Sequence, residues 1–146
     1  MKRILVALMI LLAMQAARAE TDLLVLGHSW HFGPNSQGLN GDNYGLGLEY
    51  RSERGWFAGG LTYRDSYRNQ AYAGYVGYQY DVPIKNGWTA FGAIRAGYIN
   101  GSGFHGIMAF PTVGVQYKRV AVEVLYIPRV GGNTTNVVGV FGRIRF

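Results

Sequence analysis

From residue 22 onward the chain alternates apolar and polar or small positions, with turn residues about every ten. Residues 44–51 place Leu46, Leu48 and Tyr50 on one face and Gly45, Gly47 and Glu49 on the other. The same period-two pattern sets Trp88, Ala90, Ile94 and Tyr98 against Arg95, and Val120, Val122, Val124 and Tyr126 against Glu123. In the last stretch Val138, Val140, Ile144 and Phe146 oppose Phe141, Arg143 and Arg145. A period of two is that of strands. Eight such segments are predicted: 22–32, 44–51, 56–64, 71–80, 88–99, 108–117, 120–126 and 137–146. The pattern offers no helix of useful length in this region, so the chain reads as all-β, one antiparallel barrel of eight strands.

The connections alternate in length. Residues 33–43, 65–70, 100–107 and 129–136 read as loops, and residues 52–55, 81–87 and Lys118-Arg119 as shorter turns. An even strand count, with short turns at one end and longer loops at the other, is the plan of outer-membrane barrels. Alternation alone does not say which face is buried. A soluble, lipocalin-like barrel would bury the apolar face, whereas a membrane barrel turns it to lipid. Three features favour the membrane: Tyr and Trp gather at strand ends, the polar face carries both signs of charge, and the chain closes on Phe146. Eight strands leave an interior fit for side chains or one small ligand, not a channel. Inward Gly45 and Gly47 would either leave a narrow slot or let the barrel close tightly.

Ahead of this region, Met1-Lys2-Arg3, the apolar run from Ile4 to Met14, and Ala17-Arg18-Ala19 form the three parts of a secretory signal peptide, too short to span a bilayer of about 30 Å. Cleavage after Ala19 would leave one barrel domain, residues 20–146. It would also remove three of the fourteen basic residues. The small positive excess that remains argues against nucleic acid as a partner. There is no cysteine, so no disulfide closes the fold, and the three histidines lack companions at metal-ligand spacing. No metal or cofactor is expected.

Two polar clusters stand out, Trp30-His31 and Arg64-Asp65-Ser66-Tyr67. Each ends an odd-numbered strand, so both fall on the long-loop rim. The first and third strands lie about 10 Å apart in a sheet, a distance that loops can close. A serine hydroxyl becomes nucleophilic beside a base, most often histidine, and an aspartate can orient that histidine. The plainer reading is that Asp-Ser is turn chemistry and His31 an interfacial side chain. His28 faces away from His31, and His105 falls in the third long loop.

The chain resembles the lipid A palmitoyltransferases of Gram-negative outer membranes. The resemblance rests on Trp30-His31, Asp65-Ser66-Tyr67, Ala73-Gly74-Tyr75, the spacing of Pro111 to Tyr126-Ile127-Pro128, and the closing Arg143-Ile144-Arg145-Phe146. It implies an outer-membrane acyltransferase that moves a palmitoyl-type chain from a phospholipid donor to lipid A. His31 would be the base, Ser66 the hydroxyl that is activated or positions the ester, and Asp65 the charge or orientation partner. Pro111 and Pro128 would open a lateral path for lipid, since proline lacks the ladder N–H. Val76 or Gly77 would form the floor under the acyl chain. Arg64, Arg68 and Arg129 would meet lipid A phosphates by charge-assisted bonds, or would simply anchor the interface. The chain departs from the family in having only Glu20 and Thr21 where an amphipathic helix precedes the first strand. A monomer suffices for this plan. The competing functions are a non-enzymatic small outer-membrane barrel, as an adhesin or surface-resistance protein, and a soluble periplasmic lipid carrier.

Overall fold

The computed structural model describes residues 20–130 and 132–146; the expected signal peptide lies outside the described residues. Eight strands follow one another around a closed antiparallel barrel: β1 Glu20–Phe32, β2 Asp42–Arg51, β3 Trp56–Arg64, β4 Gln70–Pro83, β5 Trp88–Gly101, β6 Phe104–Tyr117, β7 Val120–Ile127 and β8 Asn136–Arg145. β1 closes the circle on β8, from Asp22↔Arg145 to Phe32↔Asn136, with a bulge between Leu26 and His28. Turns 52–55, 84–87 and 118–119 share one end with both described termini. Connections 33–41, 65–69, 102–103 and 128–135 share the other, the outer rim.

The expected third long loop is the main departure. Residues 100–107 continue β5 and β6 instead, pairing Ile99↔Gly106, Asn100↔His105 and Gly101↔Phe104 around a two-residue turn, Ser102-Gly103. Both turn residues have positive φ, 56° and 73°, the geometry of a tight hairpin turn. The glycines at 101, 103 and 106 look like a loop in sequence, yet they serve the hairpin. His105 is accordingly a strand residue on the outer face.

The barrel is inside out relative to a soluble one. Asp22, Glu49, Arg51, Arg95, Glu123 and Arg143 are buried inside its turn-side half. Glu49 is the hub. It accepts from Arg95 Nη2 at 3.1 Å, Arg143 Nη1 at 3.2 Å, the Tyr75 hydroxyl at 3.1 Å, and Arg51. Glu123 takes Arg95 Nη1 at 2.8 Å and Arg143 Nη1 at 3.1 Å. Guanidinium faces not used in these bonds lie over rings: Arg51 over Phe57 at 4.5 Å, Arg95 over Phe57 at 4.8 Å and Arg143 over Phe91 at 5.1 Å. Paired charge of this density fills the bore and excludes a channel through this half. The slot at Gly45 and Gly47 is also closed, because a Cβ at either would run into the carbonyl of Thr62 or Gly60. Close strand approach is what those glycines provide.

Outside, Val25, Leu46, Leu48, Val76, Ile94, Ile107, Val113 and Val124 are exposed. Two aromatic rings of residues bound this band. Trp30, Tyr44, Tyr72, Tyr98 and Tyr126 lie toward the loops, and Tyr50, Trp56, Tyr78, Trp88 and Tyr117 toward the turns. Tyr98 and Trp88 are ten residues apart on β5, about 25 Å along the axis for a strand tilted by about 40°.

Candidate functional site

Above the charged cluster the interior turns apolar. Leu26, Leu61, Ala73, Ile99, Met108 and Leu125 surround a cavity of about 170 Å³. Cavities near 150 Å³ with apolar linings admit small apolar molecules. Tyr75, Arg95, Phe110 and Phe141 lie toward its inner end, and Leu39, Tyr67 and Asn133 line it from the loops. The expected floor residues are elsewhere. Val76 points outward and is 58% exposed. Gly77 points inward but pairs with Arg95 and Phe57, below the cavity, where the Phe57 ring occupies the space a side chain would need. The alternation of β4 assigns Tyr75 to the interior, but only the fold shows that it meets Glu49 and the cavity at once.

At the rim, His31 Nε2 lies 2.8 Å from Ser66 Oγ. The two residues come from β1 and from the loop after β3, and the loops close the gap across β2. With the imidazole proton on Nδ1, the Ser66 hydroxyl donates to Nε2. His31 is one residue beyond Trp30, above the aromatic ring and outside the hydrocarbon layer. Burial, and then the nearby His28, lower its pKa from 6.5. The imidazole is therefore neutral at pH 7 and free to accept a proton. His28 itself points outward beyond the bulge and pairs with Asp42 at 3.1 Å.

Asp65 is placed differently from the sequence expectation. It is 3% exposed and its carboxylate accepts three backbone N–H groups, from Tyr67 at 2.9 Å, Asn69 at 2.8 Å and Ser102 at 2.5 Å. Those bonds build the loop that presents Ser66; none reaches His31. The residues that join the loops are ones the sequence did not single out. Asn40 N–H donates to the Ser66 carbonyl at 2.8 Å, and Asn40 Nδ2 donates to the Asp65 carbonyl at 3.1 Å. Asn43 Nδ2 donates to the Arg64 carbonyl at 2.9 Å. An asparagine in a loop or at a strand end carries no sequence signal for bonds of this kind.

The wall beside the cavity is incomplete. β6 pairs with β5 along its whole length, but its ladder with β7 runs only from Tyr117↔Val120 to Thr112↔Leu125. Beyond Thr112 the next residue is Pro111, which has no N–H to offer. β7 continues on β8 to Ile127↔Val137 and stops at Pro128. The two prolines thus bound a stretch of wall on the outer half that is unpaired among the described residues. The arginines do not converge: Arg64 Nε donates to the Arg68 carbonyl at 3.4 Å, whereas Arg129 lies on the loop after β7, across the barrel.

Charges within, apolar side chains without, paired aromatic belts and eight strands define a small transmembrane β-barrel, of the kind that occupies Gram-negative outer membranes. Among solved structures, the chain is similar to Neisserial surface protein A (NspA), at 13% identity over 88% of this chain and 96% of that one, with a TM-score of 0.46. It is also similar to the Yersinia pestis outer membrane protein Ail, at 12% identity over 88% of this chain and 99% of that one, with a TM-score of 0.42. No protein-family model matches the sequence, and no curated protein does.

Proposed function

We propose that this barrel transfers an acyl chain between lipids at the outer face of the membrane. The observation that carries the reading is the His31–Ser66 pair, 2.8 Å apart, with Ser66 also lining the apolar cavity. In this reading His31 Nε2 takes the Ser66 proton as Oγ attacks the ester carbonyl of a donor lipid, and returns it to the departing alcohol. An acceptor hydroxyl then attacks the acyl-serine, losing its proton to the same nitrogen, which returns it to Ser66 Oγ as the acyl–Oγ bond breaks. The apolar cavity suits the chain being moved. From Ala71 at the rim to Tyr75 at the inner end is four residues, about 10 Å along the axis. The interior holds one end of a long chain, and the remainder has a path out through the wall beside Pro111 and Pro128.

An unpaired strand edge facing hydrocarbon is costly, so that gap calls for a polar occupant near the interface, which a lipid's ester groups supply. The resemblance to the lipid A palmitoyltransferases names a phospholipid as donor and lipid A as acceptor. In this reading Arg64 and Arg68, on the same side of the rim as Ser66, would meet lipid A phosphates. Mass spectrometry of lipid A and of the intact protein tests the reading. Expression should add an acyl chain to lipid A, and a Ser66-linked acyl adduct should accumulate when acceptor is withheld. Unaltered lipid A beside a correctly inserted barrel would overturn it.

A second reading has one observation in its favour. The Asp65 carboxylate is spent on backbone N–H groups, so among the described residues His31 has no acidic partner to complete a triad. That arrangement suits a non-enzymatic surface barrel whose loops are merely well braced. Equal lipid A profiles with and without Ser66 would favour it.

A further inference from the structure

The strand ladder does not set the distance from His31 to Ser66, because β2 lies between their strands and Ser66 belongs to a loop. What sets it is the backbone of Ser66. Its carbonyl accepts from Asn40 N–H at 2.8 Å, and its own N–H donates to the Ser102 hydroxyl at 3.1 Å. Ser102 in turn donates its N–H to Asp65 Oδ2 at 2.5 Å. One residue of the β5–β6 turn thus holds both members of the Asp65-Ser66 step from the side opposite Asn40.

Ser102 occupies a backbone position that serine rarely takes. Its φ is +56°, in the left-handed region, where glycine and asparagine are the favoured residues of such a hairpin turn. Glycine would make the same turn with less strain, but it has no hydroxyl. The strained serine and the bond its hydroxyl makes are two separate observations about one residue.

We propose that Ser102 is a positioning residue whose hydroxyl holds the Ser66 backbone so that Oγ meets His31 Nε2. Its consequence for turnover rests on the acyl-transfer reading, but its effect on the His31–Ser66 contact does not. Ser102→Gly removes the hydroxyl while keeping the backbone conformation, so the barrel folds; heat-modifiable migration on SDS gels checks this. In micelles, the ¹⁵N resonance of His31 Nε2 should move toward that of an unbonded imidazole nitrogen and the His31 titration midpoint should shift. Acyl transfer should fall about tenfold to a hundredfold in kcat with KM little changed. Ser102→Asn, which tolerates the left-handed region and offers a side-chain oxygen to the Ser66 N–H, should restore most of both. An unchanged His31 resonance and midpoint in Ser102→Gly would overturn the proposal whatever the activity. A moved resonance in a protein that transfers no acyl chain would leave Ser102's role standing and overturn the acyl-transfer reading instead.

Discussion

His31 and Asp65 show how neighbouring polar residues in one rim come to different work. Burial holds His31 below its ordinary pKa, so the neutral base is present at pH 7 and is lost only as the pH falls through a midpoint under 6.5. Acyl transfer is therefore expected to stay level from pH 7 to 8 and to decline below pH 6.5; a rate that rose on acidification would contradict the assignment of His31 as base. Asp65 is expected to matter through order rather than through proton transfer. Asp65→Asn weakens hydrogen bonds from three N–H groups, each worth roughly 1.5–3 kcal/mol when the acceptor is charged. Amide exchange at Tyr67, Asn69 and Ser102 should quicken; exchange at the native rates would show that the carboxylate does not hold this loop.

At the scale of elements, the gap between β6 and β7 matters most. Continuing their register past Thr112↔Leu125 would set Pro111 opposite Tyr126. A disulfide between Pro111→Cys and Tyr126→Cys should therefore seam the wall. Transfer should be lost on oxidation and return with reductant, with no change in the folded band on gels. Transfer that survives complete crosslinking would show that lipid does not pass there. The sequence made much of this readable. Strict alternation in β2, β5, β7 and β8 assigned the inward and outward faces correctly, and the β3 bounds, Trp56–Arg64, agree with the pattern. The β5–β6 connection was not readable, because Gly101, Gly103 and Gly106 signal a loop whether they end strands or form a tight hairpin. The prolines were visible as ladder breakers. That one ends a ladder while its strand continues on the other neighbour is a fact of pairing, which no single strand records.

In the whole molecule, one half of the bore is filled with paired charge and the other is left apolar and partly open. Removing the charge of Glu49 would leave parts of three guanidinium groups buried without their partner, a loss on the order of 3–5 kcal/mol for a buried pair broken on one side. Glu49→Gln should thus lower the unfolding temperature of the barrel in detergent, with the rim site intact at low temperature. Both signs of charge on one face were legible in sequence, and with them the choice of a membrane barrel over a soluble one. The hub role of Glu49 was not, since it joins side chains from β2, β4, β5 and β8 whose angular order only the closed barrel fixes. The same is true of the site: the sequence placed His31 and Ser66 on one rim, but the 2.8 Å contact depends on Asn40 and Ser102, two loop residues with no motif of their own. The most direct test of the account is the lipid A mass spectrum of cells expressing the native chain, His31→Ala or Ser66→Ala, each confirmed as a folded, inserted barrel. The account predicts an added acyl chain with the native protein and none with either variant; an unmodified spectrum for the native protein, or the same added chain in all three, would contradict it.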